Sequence, residues 1–130
     1  MAKKRARHDD KRTVFGGARM GYSRTVRAGD FIFLSGHTAV DEQGNVGIGD
    51  VRAQARLTFA RIKKTLAGVD CTLDDIVKTT VYLADARDFW IMNDVFNEVF
   101  PDKAPTRTTI TAQPVLDTKI EIDAVVYKPE

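Results

Sequence analysis

Residues 105–123 read Pro-Thr-Arg-Thr-Thr-Ile-Thr-Ala-Gln-Pro-Val-Leu-Asp-Thr-Lys-Ile-Glu-Ile-Asp. The β-branched content and the Gln-Pro break predict two strands joined by a short loop. Side chains alternate between the faces of a strand. Arg107, Thr109 and Thr111 therefore share one face of the first strand, and Thr108, Ile110 and Ala112 share the other. In the second strand Ile120, Ile122, Ala124 and Val126 form an apolar face, with Glu121 and Asp123 pointing the opposite way. A guanidinium and a carboxylate thus stand in two strands expected to be neighbours and otherwise apolar. Such groups are costly to bury unless something pairs with them. Two readings fit: a structural Arg–Glu pair at a sheet edge, or a ligand site.

Outward from this stretch, the chain alternates strands and helices. Tyr22 to Arg27 reads as a strand, Ala28-Gly29-Asp30 as a turn, and Phe31 to Ser35 as an apolar strand, which together make a hairpin. Val51, Ala55, Phe59, Ile62 and Leu66 recur at helical spacing between an N-cap at Asp50 and Gly68. A helix over 51–67 follows. Thr72 and Asp75 suit a capped single turn, and residues 76–83 a Val- and Thr-rich strand. A second helix over 88–100 carries Phe89, Met92, Phe96, Val99 and Phe100 on one face and stops at Pro101. Asn93 lies at the rim of that aromatic stripe, where its amide needs a partner in the sheet or in a ligand.

This order gives an α+β domain: one mixed sheet with a right-handed crossover and both helices packed on one face. The other face is left uncovered. Val77, Val81, Val125 and Ile110 cannot all share the helix side with Ile120 and Ile122, and an exposed apolar face marks self-association.

At 130 residues the chain is one domain by size, and its hydrophobic and charged fractions of 43% and 29% are those of a globular protein. The net charge of +2 is too small to imply a nucleic-acid or membrane partner. Lys3, Lys4, Arg5, Arg7, Lys11 and Arg12 crowd the start, so residues 1–20 are expected to form a flexible basic segment before a domain at 21–130. Cys71 is the sole cysteine, which excludes an intramolecular disulfide and fits a reducing, cytoplasmic setting. No apolar h-region follows the basic start, so no signal peptide is expected.

Several chemistries lose their usual markers. The sequence has no Gly-rich phosphate loop, its two histidines, His8 and His37, stand far apart, and Cys71 has no spaced partner. No metal and no cofactor is expected. Arg, Glu, Ser, Tyr and Asn remain. Arginine holds a carboxylate bidentately. A buried glutamate of raised pKa takes a proton from water. An imine next to a carboxylate is already electrophilic, so these two groups suffice to hydrolyse it.

Pro-Thr-Arg-Thr at 105–108 with Lys-Ile-Glu-Ile-Asp at 119–123 resembles the carboxy-terminal signature of the RidA (YjgF) family of reactive-intermediate deaminases. Gly-Tyr-Ser-Arg at 21–24, Phe-Leu-Ser-Gly at 33–36, Asp-Ile-Val-Lys-Thr-Thr-Val-Tyr-Leu at 75–83, and Asp88-Phe89 with Asn93 match in order. No piece is specific by itself; the set, covering residues 21–127, is. The resemblance implies a chorismate-mutase-like domain with a six-stranded sheet, assembled as a homotrimer with a pocket in each cleft between subunits. It also implies an activity: hydrolysis of 2-imino or 2-enamino acids to 2-keto acids and ammonia. By the same resemblance Arg107 matches the arginine for the substrate carboxylate and Glu121 the acid that activates water. Tyr22, Ser35 and Asn93 match further ligand contacts. Thr109 stands where relatives commonly carry Cys, and its hydroxyl is a candidate contact. Met20-Gly21 replaces the usual Gly-Pro, His37 replaces a usual glutamine, and the loop between Arg107 and Glu121 is about one residue short. These departures surround the expected pocket and point to an altered substrate, such as a larger aminomuconate-like one.

Two other functions compete. A non-catalytic trimer that binds a small carboxylate needs Arg107 but not Glu121. An RNA-acting protein needs aromatic stacking pairs and a basic stripe on the sheet, and neither is expected from the sequence.

Overall fold

The computed structural model describes residues 6–8, 12–15 and 17–130. The elements in chain order are strands β1 (Arg7–His8), β2 (Arg12–Phe15), β3 (Ala18–Ser23), β4 (Thr25–Ala28) and β5 (Phe31–Thr38), then helix α1 (Val51–Ala67). β6 (Ile76–Leu83), helix α2 (Phe89–Val99), β7 (Thr106–Thr111) and β8 (Ile120–Tyr127) complete the fold. Six strands form one mixed sheet in the order β1-β4-β5-β8-β6-β7, and β2 pairs with β3 in a second, two-stranded sheet. In the large sheet the β6–β7 pair is parallel, joined by the α2 crossover. The expected join at residue 20 falls inside β3; of the basic segment, residues 1–5, 9–11 and 16 lie outside the described residues.

The helix bounds follow from their caps. Asp50 accepts a hydrogen bond from the Ala53 amide at 2.9 Å, and α1 begins there. Gly68 is the C-cap, but it keeps a right-handed conformation (φ −67°). The left-handed residue comes two positions later, at Asp70 (φ 58°). One stripe of α1 is buried against β5 and β8, and Phe59 meets Phe96 of α2 edge-on, ring centroids 5.1 Å apart. Beneath them β8 alternates strictly: Ile120, Ile122, Ala124 and Val126 are buried, and the residues between them are not. Gln54 is the polar anchor of this core. Its amide donates to the Gly47 and Gly49 carbonyls (3.0 and 2.8 Å) and accepts from the Lys119 amide (2.8 Å), so a buried polar group is fully partnered.

The structure differs from the sequence reading in four places. First, β7 and β8 are not neighbours, because β8 pairs with β5 and β6, and β6 stands between it and β7. Second, the strand expected over 22–27 is broken at Arg24. β3 leaves for β2 while β4 joins β5, and Ser35 pins the corner. Its amide donates to the Arg24 carbonyl at 3.0 Å and its hydroxyl to the Ser23 carbonyl at 2.6 Å. Third, β6 carries a register shift that the sequence reading did not include, and Val81 faces the helices, fully buried. The register shifts between Ile76 and Lys78, and an extra residue in a strand exchanges the faces of everything beyond it. Val77 and Ile110 do lie on the uncovered face, 40% and 44% exposed, with Val125 half-buried beside them.

Fourth, that face carries an aromatic pair after all. Phe31 and Tyr127 are direct partners across β5 and β8, with ring centroids 5.4 Å apart. Phe33, Val77 and Ile110 are exposed apolar side chains on the same face, and an exposed apolar face is a feature of association surfaces. No helix among the described residues is long and apolar enough to cross a membrane.

Candidate functional site

The sequence-derived site residues fall into two groups on opposite sides of the sheet. Arg107 and Thr109 project from the edge strand β7 toward α2, and both are half-buried. The Arg107 guanidinium lies over the Phe96 ring at 4.7 Å and near Phe89 at 5.5 Å, with Nη1 3.8 Å from the Met92 sulfur. Asn93 stands between Phe89 and Phe96 on the same helix face, so α2 brings it to the arginine's side. No carboxylate among the described residues pairs with Arg107, and its only partners are soft or aromatic. Burial pulls its pKa below the ordinary arginine value. The guanidinium still keeps its charge and most of its fork.

Glu121 belongs to the other group. It projects from β8 onto the uncovered face beside Asp123, half-buried and without a hydrogen-bond or ion-pair partner among the described residues. Burial raises its pKa, and the Asp123 charge adds to the rise. Asp123 itself accepts a hydrogen bond from the Tyr82 hydroxyl at 3.0 Å. The Glu121 carboxylate rests against Gly36: a Cβ at that glycine would stand 2.5 Å from Oε2. Here a glycine within a strand marks a close approach. Residues 35 and 36 occupy a register shift opposite β8, and the sequence signal for it was the Ser-Gly pair inside an otherwise apolar strand. Ser35, whose hydroxyl is tied to Ser23, adjoins this group, and Tyr22 of β3 is 46% exposed. Ser35 and Glu121 thus gather at one end of β5, while Tyr22 lies near Arg61 of α1. Arg107, Thr109 and Asn93 gather at the α2–β7 edge. A single chain does not bring the two groups together.

His37 is not on this surface. The same register shift turns it inward against α1, where it is 5% exposed. Nδ1 lies 2.8 Å from the Ser35 carbonyl and Nε2 2.8 Å from the Thr65 hydroxyl. A carbonyl only accepts, so Nδ1 carries the proton; the neutral ring then accepts from Thr65 through Nε2. Burial lowers its pKa to about 4, which keeps that neutral form at pH 7. No group of three or more His, Cys, Asp or Glu side chains among the described residues is placed to hold a metal ion.

The family model described as endoribonuclease L-PSP matches residues 16–128. A RutC family protein of Pyrococcus horikoshii is 37% identical over 109 residues, covering 82% of this chain and 86% of the relative. The mitochondrial protein mmf2 of Schizosaccharomyces pombe is 36% identical over 108 residues, covering 80% and 85%. TdcF of Escherichia coli K12, provisionally named a reactive intermediate deaminase, is 32% identical over 111 residues, covering 82% and 86%. The crystal structure of Escherichia coli TdcF with bound serine superposes with a TM-score of 0.78 at 31% identity, over 88% of this chain and 93% of that one. The chain belongs to the endoribonuclease L-PSP family, also called YjgF or RidA.

Proposed function

We propose that the protein is an imine and enamine deaminase, converting 2-imino or 2-enamino acids to 2-keto acids and ammonia. The observation that carries this reading is a pair of opposite, unpaired charges on opposite sheet faces: the Arg107 fork at the α2–β7 edge and the Glu121 carboxylate beside Gly36. Neither charge serves the fold through an ion pair, and each is the group the reaction needs. Arg107 grips the substrate carboxylate through two parallel hydrogen bonds. Glu121 takes a proton from water, and the oxygen bonds to the imine carbon as the C=N electrons move to nitrogen. The protonated Glu121 returns its proton to nitrogen. The hydroxyl proton then passes through Glu121 to that nitrogen, and as the oxygen becomes the ketone the C–N bond breaks and ammonia leaves. Burial makes Glu121 a better base than an exposed glutamate.

The reading requires a second copy of the chain. In a homotrimer, the uncovered face of one subunit meets the α2–β7 edge of the next, and each cleft receives one group from either side. The exposed Phe31, Phe33, Ile110 and Tyr127 supply the apolar surface for it. Tyr22, Ser35, Asn93 and Thr109 then line the cleft as substrate contacts. Met20-Gly21 and the shortened loop remain departures that favour a larger substrate of the aminomuconate kind; His37, turned inward against α1, does not bear on it. We also place the protein in the cytoplasm, on its single cysteine; cell fractionation that finds it in an organelle refutes this.

A second reading has support in the serine bound by TdcF: a trimer that binds small carboxylates without turning them over. Ammonia release separates the two. An amino-acid oxidase generates the imine in situ, and wild type is compared with Arg107→Ala and Glu121→Ala. The deaminase loses release in both variants. A binder shows no release in wild type and loses keto-acid binding in Arg107→Ala alone.

A further inference from the structure

Arg24 stands at the exposed bend between β3 and β4, and Arg61 and Lys64 lie one turn apart on α1. With His37 and Thr65 they line a cavity of about 290 Å3. Arg61 donates one hydrogen bond, from Nη1 to the Thr38 carbonyl at 2.7 Å, and the rest of its fork is free of protein partners. Arg24 and Arg61 line this same space; burial lowers the pKa of Arg61 and repulsion from Arg24 lowers it further, while the nearby Tyr22 raises it.

Among the described residues Arg24, Arg61 and Lys64 have no direct ion-pair partner. Asp41 and Glu42 also border the cavity. The Asp41 carboxylate is held in its own turn, accepting from the Gln43 and Asn45 amides and the Asn45 side chain at 2.8–3.0 Å, and Glu42 is exposed. The two carboxylates offset part of the positive charge and leave the lining cationic by one charge. His37 at the base is neutral, its two ring nitrogens engaged with Ser35 and Thr65. Two guanidiniums and an ammonium converging on one cavity repel one another, and an anion between them removes that cost.

We propose that Arg24, Arg61 and Lys64 form a binding site for a phosphomonoester, not lined by Arg107 or Glu121. Tyr22 and Ser35 border it. Planar forks match the oxygens of a phosphoryl group two at a time, and the lysine supplies a third, less directional contact. The adjoining cavity, about 660 Å3, shares Arg24, Lys64 and Thr65 and adds Arg27 and the apolar Ile32 and Val69. It has room for the organic part of the ester.

Inorganic phosphate is the probe. Calorimetric titration of the full-length protein with phosphate is compared with chloride at equal ionic strength. Saturable binding is expected for phosphate alone, weakened about tenfold or more in Arg24→Gln and in Arg61→Gln, the loss of a charge-assisted bond. Arg61→Lys should retain part of the affinity, and Arg107→Lys all of it. Because Arg24 is exposed at a bend, Arg24→Gln leaves the core intact and keeps the test decisive even where Arg61→Gln folds poorly. Phosphate heats that match chloride overturn the site. So does binding that survives Arg24→Gln, or that is lost in Arg107→Lys.

Discussion

Arg107 and Glu121 leave the sheet on opposite faces, with β6 standing between their strands. A structural ion pair between them within one chain is therefore ruled out, and so is a site within one chain that uses both. Light scattering at micromolar concentration should return three times the 14.5 kDa of the chain. Ile110→Glu, which puts a charge in the exposed apolar face, should release monomers of native circular dichroism that no longer produce ammonia. A wild-type protein that stays a monomer removes the shared cleft.

Arg107→Lys tests the clamp. Lysine keeps the charge and loses the fork. The guanidinium contributes to the fold mainly through the Phe96 and Phe89 rings, worth about 0.5–1 kcal/mol. At fixed protein concentration the melting temperature should move by no more than about 5 °C, while imine hydrolysis is largely lost. A variant that melts far earlier but works normally once folded assigns Arg107 to the fold.

Glu121→Gln should retain 2-keto acid binding and slow turnover by roughly 10²–10⁴-fold, the range of general-base catalysis. Gly36→Ala approaches the same group from its neighbour. The added methyl would meet the carboxylate 2.5 Å away, and the end of a glutamate side chain yields more readily than backbone. Turnover should fall while the protein folds. Full activity in Gly36→Ala would show that the carboxylate's resting place is immaterial.

What could be read from sequence was local. The α1 bounds, 51–67, came from five apolar residues at helical spacing and a capping aspartate, all within one segment. The alternation of β8 was equally plain. The misreadings all involved pairing between distant segments. Nothing in residues 105–123 says that β6 separates the two strands, since strand order is fixed by what else the sheet buries. The register shifts at Ser35–Gly36 and near Val77 each exchange the faces beyond them, which sent His37 and Val81 inward. The Ser-Gly pair was visible, but its consequence depended on the Glu121 carboxylate across the sheet. Arg24 and Arg61 lie 37 positions apart, and only the fold makes them one cavity.

The inward turn of His37 has a measurable consequence for stability. Its pKa is held at about 4, first by burial and also by the nearby charges of Arg61 and Arg24, against 6.5 when exposed. Between these values the unfolded chain binds a proton that the folded chain does not. Stability therefore rises with pH across the window, and acidification from 6.5 toward 4 lowers it. The full effect is about 3 kcal/mol, from 1.36 kcal/mol per pKa unit. Below about pH 4 the folded state takes up the proton as well and this contribution levels off. His37→Gln offers an amide donor to the Ser35 carbonyl and an oxygen acceptor to Thr65, and does not titrate. Urea unfolding of both proteins at fixed concentration, in steps from pH 4 to pH 7, isolates the residue, because every other titrating group is common to the two. The wild-type curve should fall more steeply on acidification, converging on or crossing that of the variant. Parallel curves would mean that His37 meets the proton as readily folded as unfolded, and that its ring is not sealed beneath α1.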